Sequence, residues 1–261
     1  MIHKARQQAV ELMQLARQDM AQRQYGPAAA KLSKLARDAA SDPSLLTGEQ
    51  SQWLKTTLWV LSPRWSEPVA HGMVSLRRCR PEDAEFFRAS FQDQAFTHRF
   101  NRRRPWKGDL SRALLRFGQE PPVLLTLLQW VVCRHGQPIG LLSLSHIDPE
   151  NGRAEFSIGL PSSHGAGVGH KASLLALHFA FFVAGFQKLC AYVYEDNAAA
   201  LKAALHLGFK QEGFLVDHFR LPPNGHVSVH ALGLTRQQAL ETPALTKAVR
   251  RRIGQDWHQI R

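Results

Sequence analysis

The feature of this sequence that most constrains its fold is a glycine-dense turn between a strand pattern and a helix pattern. Residues 153–161 (RAEFSIGLP) alternate in polarity as a strand does, and the apolar segment 169–186 is typical of a buried helix. The residues between them read SSHGAGV. Glycines in such a turn let consecutive backbone N–H groups converge on one anion, and the helix dipole adds positive potential. The turn therefore predicts a phosphate-binding loop, although similar turns occur in dinucleotide folds and as simple tight turns.

The glycine spacing separates this turn from the dinucleotide-binding phrase G-x-G-x-x-G, and no early parallel sheet precedes it. The patterns along the chain alternate between strands and helices. Strands are predicted over 74–78, 123–134, 139–147, 153–160, 188–195, 210–221 and 227–234, and helices over 80–92, 109–119, 169–186 and 197–207. The expected fold class is α/β (α+β), with a mixed, mostly antiparallel sheet and flanking helices.

The patterns divide the chain into four parts. Residues 1–61 form a small all-helical domain with a break near Tyr25. It weakly resembles one tetratricopeptide helix pair, but no second copy follows, so we interpret it as a docking or packing element. Residues 62–73, which hold prolines and a glycine, are predicted as a linker. The α/β domain occupies 74–235, and a basic helical tail occupies 236–261.

The composition is that of an ordinary globular chain, with 44% hydrophobic and 21% charged residues. The longest apolar run, 174–186, is interrupted by His178 and is too short for a bilayer, so no membrane insertion is expected. The first residues show no secretory signal, and the three cysteines lack disulfide or zinc-site spacing. These features favour a cytoplasmic protein without a metal site. The net charge of +12 favours anionic partners, including nucleic acid, nucleotides or an acidic membrane face.

Several phrases occur in a fixed order along the domain. His164-x-x-Gly167-x-Gly169 forms the turn, Asn197 opens the next helix, and Leu207-Gly208-Phe209 follows that helix. Together with Arg153-Ala154-Glu155-Phe156 on the strand, these phrases resemble the GCN5-related N-acetyltransferase (GNAT) family, in the branch that holds ribosomal-protein and spermidine acetyltransferases. The resemblance covers nearly all of 74–235. It implies a GNAT fold and an acetyl-CoA-dependent transfer of the acetyl group directly to a primary amine.

The resemblance also implies where acetyl-CoA, the cosubstrate, would bind. It would lie where the strand of Glu155 splays from the strand over 188–195. Backbone groups at Ile158 and Leu160 would pair with the pantetheine arm as an added strand does. The Asn197 side chain would hold the same arm, or serve as a simple helix N-cap, or both. The pyrophosphate would bind the turn through His164, Gly165, Ala166, Gly167, Val168 and Gly169.

Transfer to an amine needs a base for the ammonium proton and polarisation of the thioester carbonyl. The family motif makes Glu155 the candidate base, and a solvated or salt-bridged carboxylate is the alternative. Ser157 shares a strand face with Glu155, where it would orient water or the thiolate, or simply pack. Family members often carry a tyrosine or serine that holds or protonates the leaving thiolate. Those positions are Ala204 and Ala200 in this chain.

By resemblance, the acceptor site borders the connection that contains Arg99, Arg102, Arg103, Arg104 and Trp106. This connection would recognise an acidic acceptor, such as a protein, aminoacyl-tRNA or an amino-sugar nucleotide, or would be an ordinary solvated loop. A small amine stays open, but a polyamine fits poorly beside so basic a protein. Two other interpretations are a catalytically weak acyl-CoA-binding module and a nucleic-acid-binding protein on a GNAT scaffold. Neither the acceptor nor an oligomeric state follows from the sequence.

Overall fold

The structure is a computed structural model that describes residues 2–100, 108–161, 167–221 and 224–260. The chain folds into two compact units, Met1–Pro63 and Arg64–Arg261. The first unit is all-helical, and the second carries the sheet with its flanking helices.

The first unit is built from helices α1 (Ile2–Ala21), α2 (Tyr25–Ser41) and α3 (Gly48–Val60). A capping box starts α3: the Thr47 hydroxyl accepts from the N–H of Gln50 at 3.2 Å, and the Gln50 side chain accepts from the N–H of Thr47 at 2.9 Å. The unit buries an apolar core of its own. This core contains Ala9, Met13, Ala16, Ala28, Leu32, Leu35, Leu45, Leu46 and Leu54.

The second unit is organised around one sheet. Its strands are β1 (Val69–His71), β2 (Val74–Arg78), β3 (Leu127–Arg134), β4 (Gln137–Asp148), β5 (Arg153–Gly159), β6 (Lys188–Tyr194), β7 (Lys210–Leu221) and β8 (Gly225–Thr235). They lie in the order β1-β2-β3-β4-β5-β6-β8-β7. Every neighbouring pair is antiparallel except β5 and β6, which run parallel. The mixed, mostly antiparallel sheet predicted from the sequence is confirmed.

The parallel pair β5–β6 is short. Three residue pairs join the two strands, and the last of them is Glu155 with Cys190. Beyond this pair β5 has no partner in β6, whereas it stays paired with β4 as far as Gly159. The end of β5 therefore presents an open backbone edge toward β6.

Helices flank the sheet on both sides of this opening. They are α4 (Ala84–Gln92), α5 (Gln94–Phe100), α6 (Leu110–Gln119), α7 (Pro122–Leu125), α8 (Val168–His178), α9 (Ala198–His206), α10 (Arg236–Glu241) and α11 (Pro243–Ile253). A π-helical turn, Phe179–Val183, continues α8 along the apolar segment predicted as one helix. The predicted strand 123–134 instead begins with α7, because Thr126 takes a left-handed φ of 50° and ends that helix before β3 starts. Among the residues described, no helix is long and apolar enough to cross a bilayer.

Two segments outside 74–235 belong to the second unit: residues 64–73 and the C-terminal tail. Residues 62–73, predicted as a linker, contain β1 and the buried Trp65. The guanidinium of Arg78 is buried too, and it donates to the Trp65 carbonyl at 3.1 Å because a buried charge needs polar partners. The basic tail contributes an apolar face, which consists of Leu245, Val249, Ile253 and Trp257. The α/β unit thus begins at Arg64, and burial rather than composition sets that boundary.

Candidate functional site

A large cavity opens where β5 and β6 part. Its volume of about 1760 Å³ is more than one small ligand needs and leaves room for a long extended ligand beside a second molecule. Residues from β4, β5, β6, α8, α9 and α11 line it. The candidate catalytic and cofactor-binding residues that reach it are Glu155, Ser157, Ile158, Leu160, Gly169 and Asn197.

The first turn of α8 lies at this cavity. Gly167 is the N-cap of the helix and has a φ of 89°, a conformation that favours glycine. A Cβ built on Gly167 would lie 2.9 Å from Nη1 of Arg252, so the bare α-carbon also makes room for that guanidinium. The side chain of Val168 is buried, and its backbone N–H belongs to the unpaired first turn. The other loop residues predicted to bind phosphate, His164, Gly165 and Ala166, lie outside the described residues.

The cavity face of β5 carries alternating polar side chains. Ser157 Oγ lies 2.8 Å from Ser143 Oγ on β4, so this hydroxyl is hydrogen-bonded within the sheet. Ile158 and the following Leu160 lie on the side of the opening, where β5 has no partner in β6. This arrangement leaves main-chain groups available for a ligand that pairs as an extra strand.

Glu155 lies at the last residue pair between β5 and β6. Its Oε2 atom is 3.1 Å from Nδ1 of His146 on β4, within ion-pair distance. The Glu155 side chain is 24% exposed and the His146 side chain 71% exposed, so the pair leads from the cavity to solvent. Sequence reasoning missed His146.

A local irregularity in β4 places His146 beside Glu155. The register of β4 against β5 shifts between Ser145 and Asp148, and His146 has a left-handed φ of 50°. Such a bulge re-aims a side chain. The available sequence signal was the break in alternation, because two polar residues in succession, Ser145 and His146, interrupt a period-two strand.

Asn197 is the N-cap of α9. Its Oδ1 accepts from the N–H of Ala200 at 3.1 Å, and its Nδ2 donates to the Arg99 carbonyl at 3.2 Å. The second bond ties the start of α9 to the end of α5. Ala200 and Ala204 line the cavity, so the part of α9 that faces it presents methyl groups at the two positions where the family resemblance implied a hydroxyl.

The charge of the cavity is strongly positive. Its described lining holds six Lys and Arg side chains and one carboxylate, Glu155. The cationic residues are Arg99, Lys202, Arg220, Lys247, Arg251 and Arg252. Three further arginines predicted to border the site, Arg102, Arg103 and Arg104, lie with Trp106 outside the described residues. A cavity with this balance attracts anions and repels polycations.

The pKa of His170, a titratable side chain that lines the cavity, is shifted. Partial burial, with the charge of Arg252 and the neighbouring His206, lowers the pKa of His170 below its ordinary value of 6.5. Partial burial raises the pKa of the Cys190 thiol, which pairs with Glu155 across the strands. A neutral thiol is a poor nucleophile, and Glu155 is the one carboxylate in the described lining of the cavity.

These features fit a long ligand that has phosphates at one end and a reactive carbonyl at the other. The glycine N-cap of α8 and the cations beside it suit the phosphates, and the open edge of β5 suits an extended arm. Acetyl-CoA has this form. No group of three or more His, Cys, Asp or Glu residues with metal-binding geometry occurs in the part of the chain that the structure describes. Fold and site thus fit the class of domains that bind an acyl-CoA.

Comparison with known proteins identifies the family. The acetyltransferase (GNAT) domain family matches residues 74–210, more than half of the 261 residues. The chain therefore belongs to the GNAT acetyltransferase family. GNAT acetyltransferases use acetyl-CoA, which confirms the cosubstrate expected from the sequence.

The chain is 35% identical over 92 residues to the spermidine N(1)-acetyltransferase of Escherichia coli (strain K12). That stretch is 35% of this chain and 50% of the relative, so the chain spans about half the length of the curated relatives it matches. A spermidine N-acetyltransferase from Vibrio cholerae in complex with CoA and spermine has the same fold, with a TM-score of 0.57, 21% identity and coverage of 65% of this chain and 99% of that chain. A GCN5-related N-acetyltransferase from Brucella melitensis gives a TM-score of 0.57 at 21% identity, over 71% of this chain and 85% of that one. The predicted GNAT fold is confirmed.

Proposed function

We propose that this protein is an N-acetyltransferase that transfers the acetyl group of acetyl-CoA directly to a primary amine. The observation that carries the proposal is the position of Glu155, a carboxylate where β5 and β6 part, in a cavity lined by six cations. The thioester would lie in this opening, so a base at Glu155 would reach an amine presented to it.

Backbone and side-chain groups would share the binding of the cosubstrate. The open edge of β5 at Ile158, with Leu160 after it, would pair with the pantetheine amides. N–H groups from Gly167 to Gly169 would bind the pyrophosphate with the help of the α8 dipole. Asn197 would add a polar contact to the arm while it caps α9. When bound, acetyl-CoA supplies the activated carbonyl.

Glu155 and His146 would remove the proton of the acceptor ammonium group and pass it to solvent. Glu155 takes a proton from the ammonium group, and the neutral amine attacks the carbonyl carbon while the carbon–sulfur bond breaks. His146, whose Nδ1 lies 3.1 Å from the Glu155 carboxylate and whose side chain is 71% exposed, leads toward water, to which the proton is finally lost. Ser157, bonded to Ser143, would shape the polar face beside them.

The leaving thiolate would depart without an acid from α9, because Ala200 and Ala204 carry no hydroxyl. A thiol with an ordinary pKa of about 8.5 is a tolerable leaving group near neutral pH, so solvent is a sufficient proton source. The phenols of Tyr192 and Tyr194 on β6 line the same cavity and are alternative donors.

The helices beside β5 give the cavity an aromatic wall. Ring centroids are 6.4 Å apart between Phe87 and Phe91, 6.1 Å between Phe91 and Phe96, and 4.9 Å between Phe96 and Phe100. The Phe100 ring packs so closely on Gly159 that a side chain there would collide with it. Such a wall, beside six cations, suits an amine joined to apolar and anionic groups.

We therefore propose that the acceptor is a protein amine, an aminoacyl-tRNA or an amino-sugar nucleotide rather than a polyamine. The relatives named for spermidine make that polyamine the essential comparison. Release of the free CoA thiol by the full chain tests this choice, with spermidine, a peptide with N-terminal Phe, phenylalanyl-tRNA and an amino-sugar nucleotide as acceptors. Turnover that exceeds the spermidine rate is expected with at least one of the other three. Turnover with spermidine alone would overturn the acceptor assignment.

A catalytically weak acyl-CoA-binding module is the second candidate, and the alanines on α9 favour it. Such a module would bind acetyl-CoA with no thiol release above background for any of these acceptors. A nucleic-acid-binding role, suggested by the net charge of +12, would appear as tRNA binding that does not depend on acetyl-CoA. A gel-shift series over increasing salt, alongside the thiol assay, separates these possibilities.

A further inference from the structure

The helix α11 lies outside the residues that match the GNAT family, yet it reaches the cavity. One of its faces buries Leu245, Val249 and Ile253. A second face lines the cavity at helical spacing, through Ala244, Lys247, Ala248, Arg251 and Arg252. Burial of the first face fixes the helix, so the cations on the second face are held at the cavity rather than merely near it.

Arg252 lies directly beside the phosphate-binding end of α8. Its Nη1 atom is 2.9 Å from the place that a side chain on Gly167 would occupy. Its charge also contributes to the lowered pKa of His170, one turn into the same helix. A guanidinium, the α8 dipole and the first-turn N–H groups therefore meet at one point.

The cations on this face have no ion-pair partner in the described chain, in contrast to a neighbour on the same helix. Arg250 Nη2 forms an ion pair with Asp256 Oδ2 at 2.6 Å. No described carboxylate lies within 4.0 Å of the charged groups of Lys247, Arg251 or Arg252. Three exposed cations of like sign, held close together without a partner, repel each other, and a bound anion would relieve that repulsion.

We propose that α11 forms the binding site for the nucleotide end of CoA, with Lys247 and Arg251 on the 3′-phosphate and Arg252 on the pyrophosphate. The inference rests on the proposed use of acetyl-CoA, but not on transfer chemistry or on the identity of the acceptor. The 3′-phosphate is a dianion, and two adjacent cations one helical turn apart match it in charge and spacing. Arg252 is assigned to the pyrophosphate because it lies at the N-cap of α8.

Calorimetric titration of the full chain with CoA and with dephospho-CoA, which lacks the 3′-phosphate, tests the assignment without any turnover. We expect the wild type to prefer CoA, and the double variant Lys247→Gln, Arg251→Gln to lose that preference through a roughly tenfold or greater loss of CoA affinity. The double variant should bind dephospho-CoA as the wild type does. Arg252→Gln should weaken both ligands about equally.

Arg250→Gln is the matched control, since it removes one positive charge from the same helix but from a paired side chain. It should leave both affinities unchanged. An unaltered preference for CoA in the double variant, or equal losses in the Arg250 control, would overturn the proposal. Loss of tRNA binding with intact CoA affinity would also overturn it and would assign this face to nucleic acid. Thermal melting verifies that each variant is folded, and Arg251→Lys, which keeps the charge, should retain most of the preference.

Discussion

The Nδ1 atom of His146 lies 3.1 Å from the Oε2 atom of Glu155, at the point where strands β5 and β6 lose their pairing. One residue comes from a bulge in β4 and the other from the neighbouring strand, so the contact depends on the register shift between Ser145 and Asp148. It joins a half-buried carboxylate to an exposed imidazole. This contact is the basis of the first two predictions.

Glu155→Gln should lower turnover roughly 100-fold or more, because the amide keeps the shape of the side chain but cannot accept the ammonium proton. Acetyl-CoA affinity should barely change, since the proposed phosphate and pantetheine contacts lie elsewhere. Higher pH should partly rescue the variant, because more of the acceptor amine is already neutral. Steady-state rates and calorimetry check both parts. Near-normal turnover with the wild-type pH profile would show that Glu155 is only a structural strand residue.

His146→Ala should reduce turnover by about 10- to 100-fold, because the Glu155 carboxylate loses the N–H group that orients it. His146→Gln keeps a donor of similar reach and should recover part of this loss. The reduction should fall on kcat, with the KM for acetyl-CoA close to that of the wild type. Equal rates for His146→Ala and the wild type across the pH range would remove His146 from the mechanism.

Gly167→Glu should abolish acetyl-CoA binding while the domain stays folded. A carboxylate at this N-cap would occupy the anion site and pair with Arg252, whose Nη1 lies 2.9 Å from the new Cβ. Gly185→Glu is the control: Gly185 has a similar φ of 84°, and nothing lies within 4 Å of its Cβ, so strain and charge are matched away from the site. Thermal shift with acetyl-CoA distinguishes the two variants. A ligand-induced shift retained by Gly167→Glu would show that the turn is not the phosphate cradle.

A chain truncated to residues 62–261 should fold and bind acetyl-CoA, because the GNAT sheet and cavity are complete without the N-terminal helices. A start at residue 73 should be far less stable. It removes β1 and the buried Trp65, and deletion of a buried Trp side chain alone costs about 3–5 kcal/mol. Chemical denaturation of the two truncated chains measures the difference. A folded 62–261 chain that fails to bind acetyl-CoA would give the helical unit a direct part in the site.

The stability of the protein should decline as the pH falls below about 6.5. Trp257 Nε1 donates to Nδ1 of His178 at 3.2 Å, and burial lowers the pKa of His178 below its ordinary value of 6.5. Because the unfolded chain then binds the proton more readily, the contribution of neutral His178 is complete above pH 6.5 and is lost progressively below it. Thermal unfolding at about pH 7.5 and pH 5.5 should show a larger drop in Tm for the wild type than for His178→Gln. His170 has a pKa lowered in the same direction and stays in both proteins, so the comparison isolates His178. Equal drops would contradict this role.

The structural elements around the candidate site that sequence predicts well are local. The strand of Glu155, the turn at Gly167 and the helix cap at Asn197 are each encoded within a few neighbouring residues, by alternation, glycine spacing and capping chemistry. Their order along the chain carried the family resemblance. The fold of 74–235 follows from the same local signals.

The parts that sequence does not predict depend on contacts between distant segments. His146 reaches Glu155 only through a register shift between two strands, and Arg252 reaches Gly167 only because α11 packs against the domain. Composition alone made residues 62–73 look like a linker, since it carries no information about the burial of Trp65. Tertiary packing overrides local pattern at each of these places.

The short parallel pairing between β5 and β6 divides the sheet into two blocks of antiparallel strands. β1 to β5 form one antiparallel block and β6, β8 and β7 another, with three residue pairs between them. The pantetheine arm of the cosubstrate would pair with the open edge of β5 and contact Asn197 at the start of α9. It would thus connect the two blocks. The separation of β5 and β6 would then depend on whether the cosubstrate is bound. In the proposed reaction, that separation would decide whether the acceptor amine and Glu155 come within reach of the same carbonyl.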